Sequence, residues 1–301
     1  MGMSGQREEV RKAGMVAVLL VVDSMHFVFA RMLRPYLPPQ TSAMLVLTVA
    51  ALEVALFLAV RRQIQWAVLH QHARFFLTIG FLVALATTLS YTAVQYVDAG
   101  TASLLAQMST VFALGFSFFW LKERLNRQEG AGAFLALVGV FTISFQPGAG
   151  VFLQIGSLLV LGSAFAYALH TAVVKRHGGQ MDFANFFLFR VAATSGFLIL
   201  FTLGRGQLEM PADWWVWLLV VLVATVDVVV SRVLYYLALR RLRLNFHAIL
   251  LTLSPVLATF WSLLLFAERP SLQGVAGGVV VIAGVLVVTQ ARRGAGDEMN
   301  P

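Results

Sequence analysis

The chain has 301 residues, 59% of them hydrophobic and 12% charged, and its mean hydropathy is +0.81. That usage lies far outside soluble domains and places the chain in a membrane. Its net charge of +8 is spread over the ends of apolar runs, which argues against nucleic acid as a partner, and the absence of cysteine excludes disulfides, thiolate metal sites and a cysteine nucleophile.

In chain order, apolar segments lie near 13–33, 43–60, 74–96, 99–121, 128–145, 154–174, 183–203, 213–238, 244–267 and 271–290. Each approaches the ~20 residues that cross a ~30 Å hydrocarbon core as helix. None has the alternation of a lipid-facing barrel strand. The expected fold is therefore an all-α membrane protein with ten transmembrane helices. The charges through Lys12, followed by a long apolar run without a clear cleavage site, read as a first span rather than a removed signal peptide. The longest connections, near 61–73 and 204–212, are too short for a separate domain. Lys and Arg concentrate near 7–12, 61–74, 122–127, 175–176, 240–243 and 292–293, whereas the alternate connections hold only Arg34, Arg205 and Arg269. The asymmetry predicts an inner-membrane, multi-pass protein with both termini cytoplasmic.

Residues 91–140 match residues 236–285 at a constant offset of 145. Under it Tyr91 falls on Tyr236, Ser109 on Ser254, Glu123-Arg124 on Glu268-Arg269, Gln128 on Gln273, Gly132 on Gly277 and Gly139 on Gly284. The expected halves are 1–147 and 148–301, each with five spans. An odd number of spans makes the second half enter the membrane inverted, the architecture of many carriers with a midplane site in a central cavity.

Motifs for other chemistry are missing. No G-x-x-x-x-G-K-[ST] loop is present, so ATP is not an expected partner, and there is no H-E-x-x-H helix or G-x-S-x-G elbow. The six histidines lack metal-ligand spacing, and no cofactor is expected.

Polar residues inside spans carry the functional information, because they are costly there unless they face a cavity or one another. Helical spacing aligns Asp23 with His26 in the first span, and Thr88, Tyr91 and Gln95 in the third. The fourth aligns Ser103, Gln107 and Thr110, the sixth Ser163, Tyr167 and His170, and the eighth Asp227, Ser231 and Tyr235. The matching face of the ninth carries Thr252, Pro255, Thr259 and Ser262, with Ser254 a further candidate beside it. The fifth and tenth carry no such seam and read as peripheral. Ser and Thr in membrane helices also bond their own backbone, the structural alternative for each of them. Glu53, Arg190 and Arg232 each lie roughly 10 Å inside a span at ~1.5 Å per residue, so Glu53 is expected to pair with one of the arginines. Arg232, five residues after Asp227, falls on a different face of an α-helix. Gly274 and Gly278 form a G-x-x-x-G that would pack another helix closely, within the chain or in a weak homodimer.

Five-plus-five spans, the repeated Glu-Arg of Leu121–Leu125 and Phe266–Pro270, the following Gln-x-x-x-Gly, and Leu253-Ser254-Pro255-Val256 resemble the drug/metabolite transporter superfamily. The closest likeness is to its EamA-type branch and, over the whole sequence, to the bacterial aromatic amino-acid exporters. The family often has a proline in this helix of each half, where Thr110 stands in the first. The resemblance implies an exporter of small metabolites, amino acids above all, working by alternating access. Asp23 or Asp227 would then hold an ammonium group or exchange a proton. Tyr91, Tyr167 and Trp261 would line a ring, and Gln, Tyr and helix-end backbone would hold a carboxylate. Glu123 and Glu268 would hold helix ends or gates. A sugar-phosphate or nucleotide-sugar carrier is the alternative within the superfamily, and an intramembrane lipid-handling protein or enzyme the alternative outside it.

Overall fold

The computed structural model describes residues 14, 17–120, 122, 126–145, 154–178, 181–206, 208–235 and 253–297, and these contain helices and no β-strand. Helical residues 17–24 turn at Met25 into α1 (His26–Leu33). There follow α2 (Pro39–Val60), α3 (Trp66–Gln71), α4 (Ala73–Ala93), α5 (Ala99–Ala106), α6 (Met108–Phe119), α7 (Arg127–Ser144), α8 (Ile155–His177) and α9 (Phe183–Gly204). Next, α10 (Trp214–Val223) continues into a π-helix, Ala224–Val230, and then come α11 (Ser254–Phe266) and α12 (Leu272–Asp297).

Seven of these stretches are long and apolar enough to cross a membrane: Pro39–Val60, Ala73–Ala93, Ala99–Phe119, Ile155–His177, Phe183–Gly204, Trp214–Tyr235 and Leu272–Ala291. The other expected spans correspond to helical residues 17–33, to α7 and to the 13-residue α11.

Local chemistry sets the boundaries. α2 begins at Pro39, ahead of the expected 43, because proline is tolerated in the first turn, where its missing N–H costs nothing. α4 stops at Ala93, and Asp98 caps α5 by accepting from Thr101 N at 2.8 Å. The third span is therefore shorter than 74–96, and Gln95 falls in the turn beyond it. Asn126 and Glu129 form a capping box on α7, with Asn126 N donating to Glu129 Oε2 at 2.7 Å.

Between helices in lipid, close packing replaces the hydrophobic drive, and small residues permit it. α4 packs on α8 and α9, α9 also on α2, α6 on α8, and α11 on α5. The most extensive pairing joins α7 to α12. A Cβ on Gly132 would lie 2.7 Å from Gly284 O, and one on Gly139 would lie 2.7 Å from Gly277 O. These are the glycines that the 145-residue offset equates, paired crosswise, so the two helices run antiparallel at their crossing. A larger residue at any of the four would push backbones apart. Gly278 packs on Leu104 within the chain, which gives half of the G-x-x-x-G an intrachain use.

Candidate functional site

A cavity of about 250 Å³ opens among the helices, with walls from both halves of the chain. Asp23 and His26 reach it from the first segment, Tyr91 from α4, Gln107 from the α5–α6 junction, Tyr167 from α8, Asp227 and Arg232 from the eighth segment, and Ser254 from α11. Arg190 of α9 completes it. Among the described residues none of α7 or α12 lines it.

The fourth segment breaks where it meets the cavity. Gln107 is a turn between α5 and α6, and its N–H reaches Leu104 O at 3.2 Å in a tighter, three-residue step. This break needs no proline at Thr110. In the second half α11 starts at Ser254, the offset partner of Ser109, with Pro255 in its first turn. Ser109 lines the cavity and Thr110 does not, a correction of one helical step to the expected seam.

The eighth segment departs furthest from expectation. Ala224–Val230 is π-helical, and the i→i+5 bonding of such a turn stacks residues five apart. Asp227 and Arg232, on different faces of an α-helix, both reach the cavity. π-Helical turns recur at functional sites because they redirect side chains this way.

The carboxylates in the cavity have partners. Asp227 Oδ2 lies 2.9 Å from His26 Nδ1. Asp23 Oδ2 accepts from Ser254 Oγ at 2.7 Å. The His26 and Tyr91 rings meet edge to face at 6.2 Å, and among the described residues the buried Tyr91 hydroxyl has no hydrogen-bond partner. Arg190 is 8% exposed, its Nε has no partner among the described residues, and its guanidinium sits 5.3 Å from the Phe187 ring. Arg232 lies over Tyr167 at 5.9 Å.

Several expectations fail. Glu53 pairs with neither arginine; it accepts from Thr225 Oγ1 at 2.8 Å, while both arginines turn to the cavity. Gln95 is exposed in its turn and does not share the seam of Tyr91. His170 is buried one turn from Tyr167, both ring nitrogens lack a partner among the described residues, and neither it nor Tyr235 lines the cavity. Thr252 and Glu123 lie outside the described residues. Thr259 bonds its own helix at Pro255 O, 2.9 Å, the structural use open to any membrane threonine.

Glu268 lies away from the cavity, in a junction of three segments. α11 ends with Ala267 at φ 53, in the left-handed region, which turns the chain so that Glu268 faces back. Its Oε2 accepts from Ser262 Oγ at 2.6 Å, and its Oε1 accepts from Arg31 Nη2. Arg31 also donates from Nη1 to Val94 O at the end of α4. The sequence contained a signal for Arg31, an ionisable residue inside a span, but no partner could be read for it.

The chain matches the EamA-like transporter family over residues 12–145 and 154–290. It is 29% identical over 193 residues to an uncharacterized transporter, YdfC, of Bacillus subtilis, a match spanning 63% of this chain and 62% of that one. It is 22% identical over 245 residues to the pseudopaline exporter CntI of Pseudomonas aeruginosa, spanning 81% and 85%. The chain thus covers less than two thirds of the first relative's length and more of the second's. A solved crystal structure, 19% identical, covers 94% of this chain and 99% of its own with a TM-score of 0.65, which indicates a shared fold.

Proposed function

The chain belongs to the EamA-like transporter family, a family of multi-pass membrane transporters, and from this we propose that it is a secondary exporter of small metabolites, amino acids among them. The protein works by alternating access between two inverted five-helix repeats of ten spans in the bacterial inner membrane. The observation that carries the reading is the convergence of polar residues from both halves on one cavity. The crosswise pairing of Gly132 with Gly284 and Gly139 with Gly277 supports the inverted repeat. A volume of about 250 Å³ lies below the ~300–1,000 Å³ of sites for drug-sized ligands, which favours a small metabolite over a nucleotide-sugar.

Counterflow in vesicles carrying the purified protein tests this. Preloaded amino acid should drive saturable uptake of labelled amino acid, absent from protein-free vesicles. Exchange of sugar phosphates with none of any amino acid would replace this reading by the sugar-phosphate carrier.

The charge asymmetry between connections favours cytoplasmic termini. Because the chain has no cysteine, single cysteines report topology directly. One placed within 204–212 should react with an impermeant reagent in intact cells, and one within 61–74 should not; the reverse pattern refutes this orientation.

A further inference from the structure

We propose that Arg190 and Arg232 form an anion-binding end of the central cavity and that the transported molecule carries a carboxylate held there. The proposal rests on reading the cavity as the substrate site, and its test is a binding measurement that does not depend on transport.

The argument is the balance of partners inside one cavity. Asp227 is hydrogen-bonded to His26, and Asp23 to Ser254. Among the described residues neither Arg190 nor Arg232 has a carboxylate within ion-pair distance. Arg190 meets the Tyr167 side chain by a hydrogen bond and sits over the Phe187 ring, and Arg232 lies over the Tyr167 ring. A neutral phenol and ring faces hold the guanidinium planes in place but do not neutralise them, and they leave donors of the planar forks for an anion. Among the described residues the buried Arg190 Nε has no partner. Arg31 is the internal contrast, a partly buried arginine in the same protein whose fork is filled by Glu268 and Val94 O.

An uncompensated guanidinium deep in a membrane protein is costly, and such groups are retained where an ion or substrate comes and goes. Two of them come to one cavity, Arg190 from α9 and Arg232 just after the π-helix that shifts the register of its segment. A carboxylate fits the fork with two parallel hydrogen bonds. The acidic side of the same cavity, Asp23 and Asp227, suits an ammonium group. A molecule with both groups satisfies both ends, whereas a phosphate dianion without a cation meets repulsion from the two aspartates.

The test measures thermal unfolding of the purified full chain with L-phenylalanine, L-leucine and L-glutamate, each beside its α-carboxamide, and with glycerol 3-phosphate. At least one acid should bind about tenfold or more tightly than its amide, the scale of a charge-assisted hydrogen bond. Arg190→Gln and Arg232→Gln should abolish that preference, and Arg190→Lys and Arg232→Lys should keep part of it. Without ligand the Gln variants should unfold close to the parent's temperature, since no ion pair is broken and only contacts with Phe187 and Tyr167 are lost; a structural role predicts a large drop. The proposal is overturned if no acid outperforms its amide in the parent, if both Gln variants retain the preference, or if only glycerol 3-phosphate binds. Carboxylate binding without counterflow of any amino acid would leave the subsite standing and remove the transport reading.

Discussion

Glu268→Gln is expected to open one end of the protein and to slow transport at least tenfold. In the parent, Glu268 accepts from Ser262 and from Arg31, and Arg31 also holds Val94 O, so one guanidinium ties the first segment, the end of α4 and the end of α11 together. Arg31 and Glu268 are 21% and 16% exposed, which excludes simple surface solvation. Arg31 sits five residues along the chain from the cavity residue His26, which puts the junction at one end of the same segment and makes it the gate tested by these variants. Breaking a buried charge pair by removing one partner costs several kcal/mol. With a fifth of each side chain exposed, the lower part of that range applies, about 2–3 kcal/mol. As a bias on two states that is roughly a 30- to 150-fold shift in population. A single cysteine at Ser109, which lines the cavity, should label correspondingly faster from that side in the variant. Arg31→Gln should behave the same, and the double variant should add little, because both changes remove one interaction. Unchanged transport and unchanged labelling in both single variants would exclude a gating role and leave the junction as a structural tie.

Asp227→Asn should have the next largest effect. Asp227 is 7% exposed and bonded to His26, whose side chain is 37% exposed. The cavity therefore contains a carboxylate–imidazole pair with one member buried and the other reachable by solvent. Histidine is the side chain suited to carry a proton near neutral pH, and a carboxylate partner orients its ring. In vesicles with an imposed pH gradient, Asp227→Asn and His26→Gln should lose the stimulation by the gradient while downhill counterflow persists. Asp23→Asn should keep the stimulation and instead weaken binding of ammonium-bearing substrates about tenfold, the scale of one charged hydrogen bond. A response of Asp227→Asn equal to the parent's would show that this pair does not couple protons to transport. Loss of the response in Asp23→Asn alone would move the coupling group to the other aspartate.

Hydropathy marked the apolar segments because crossing lipid imposes a length and a composition on each separately. Polar spacing also marked the sides of those segments that reach the cavity through Asp23, His26, Tyr91, Gln107, Tyr167 and Asp227, because a helix repeats its own face locally. The repeated glycines were visible as a repeat, and their crosswise contact was not, since a contact depends on how two helices are placed. The errors have the same origin. Gln95 left its seam because Asp98 caps a new helix and ends the third segment early. Arg232 reached the cavity because π-helical turns change the register after Val223, and nothing in the Val-rich run of 220–230 announces them. Glu53, placed by depth beside two arginines, met Thr225 instead, because equal depth does not specify rotation about the helix axis. Periodicity and hydropathy act within one segment and can be read from it. Rotation, register and the choice of partner are set by the packing of all the segments together, and here they determine which charges are paired and which are left open to a ligand.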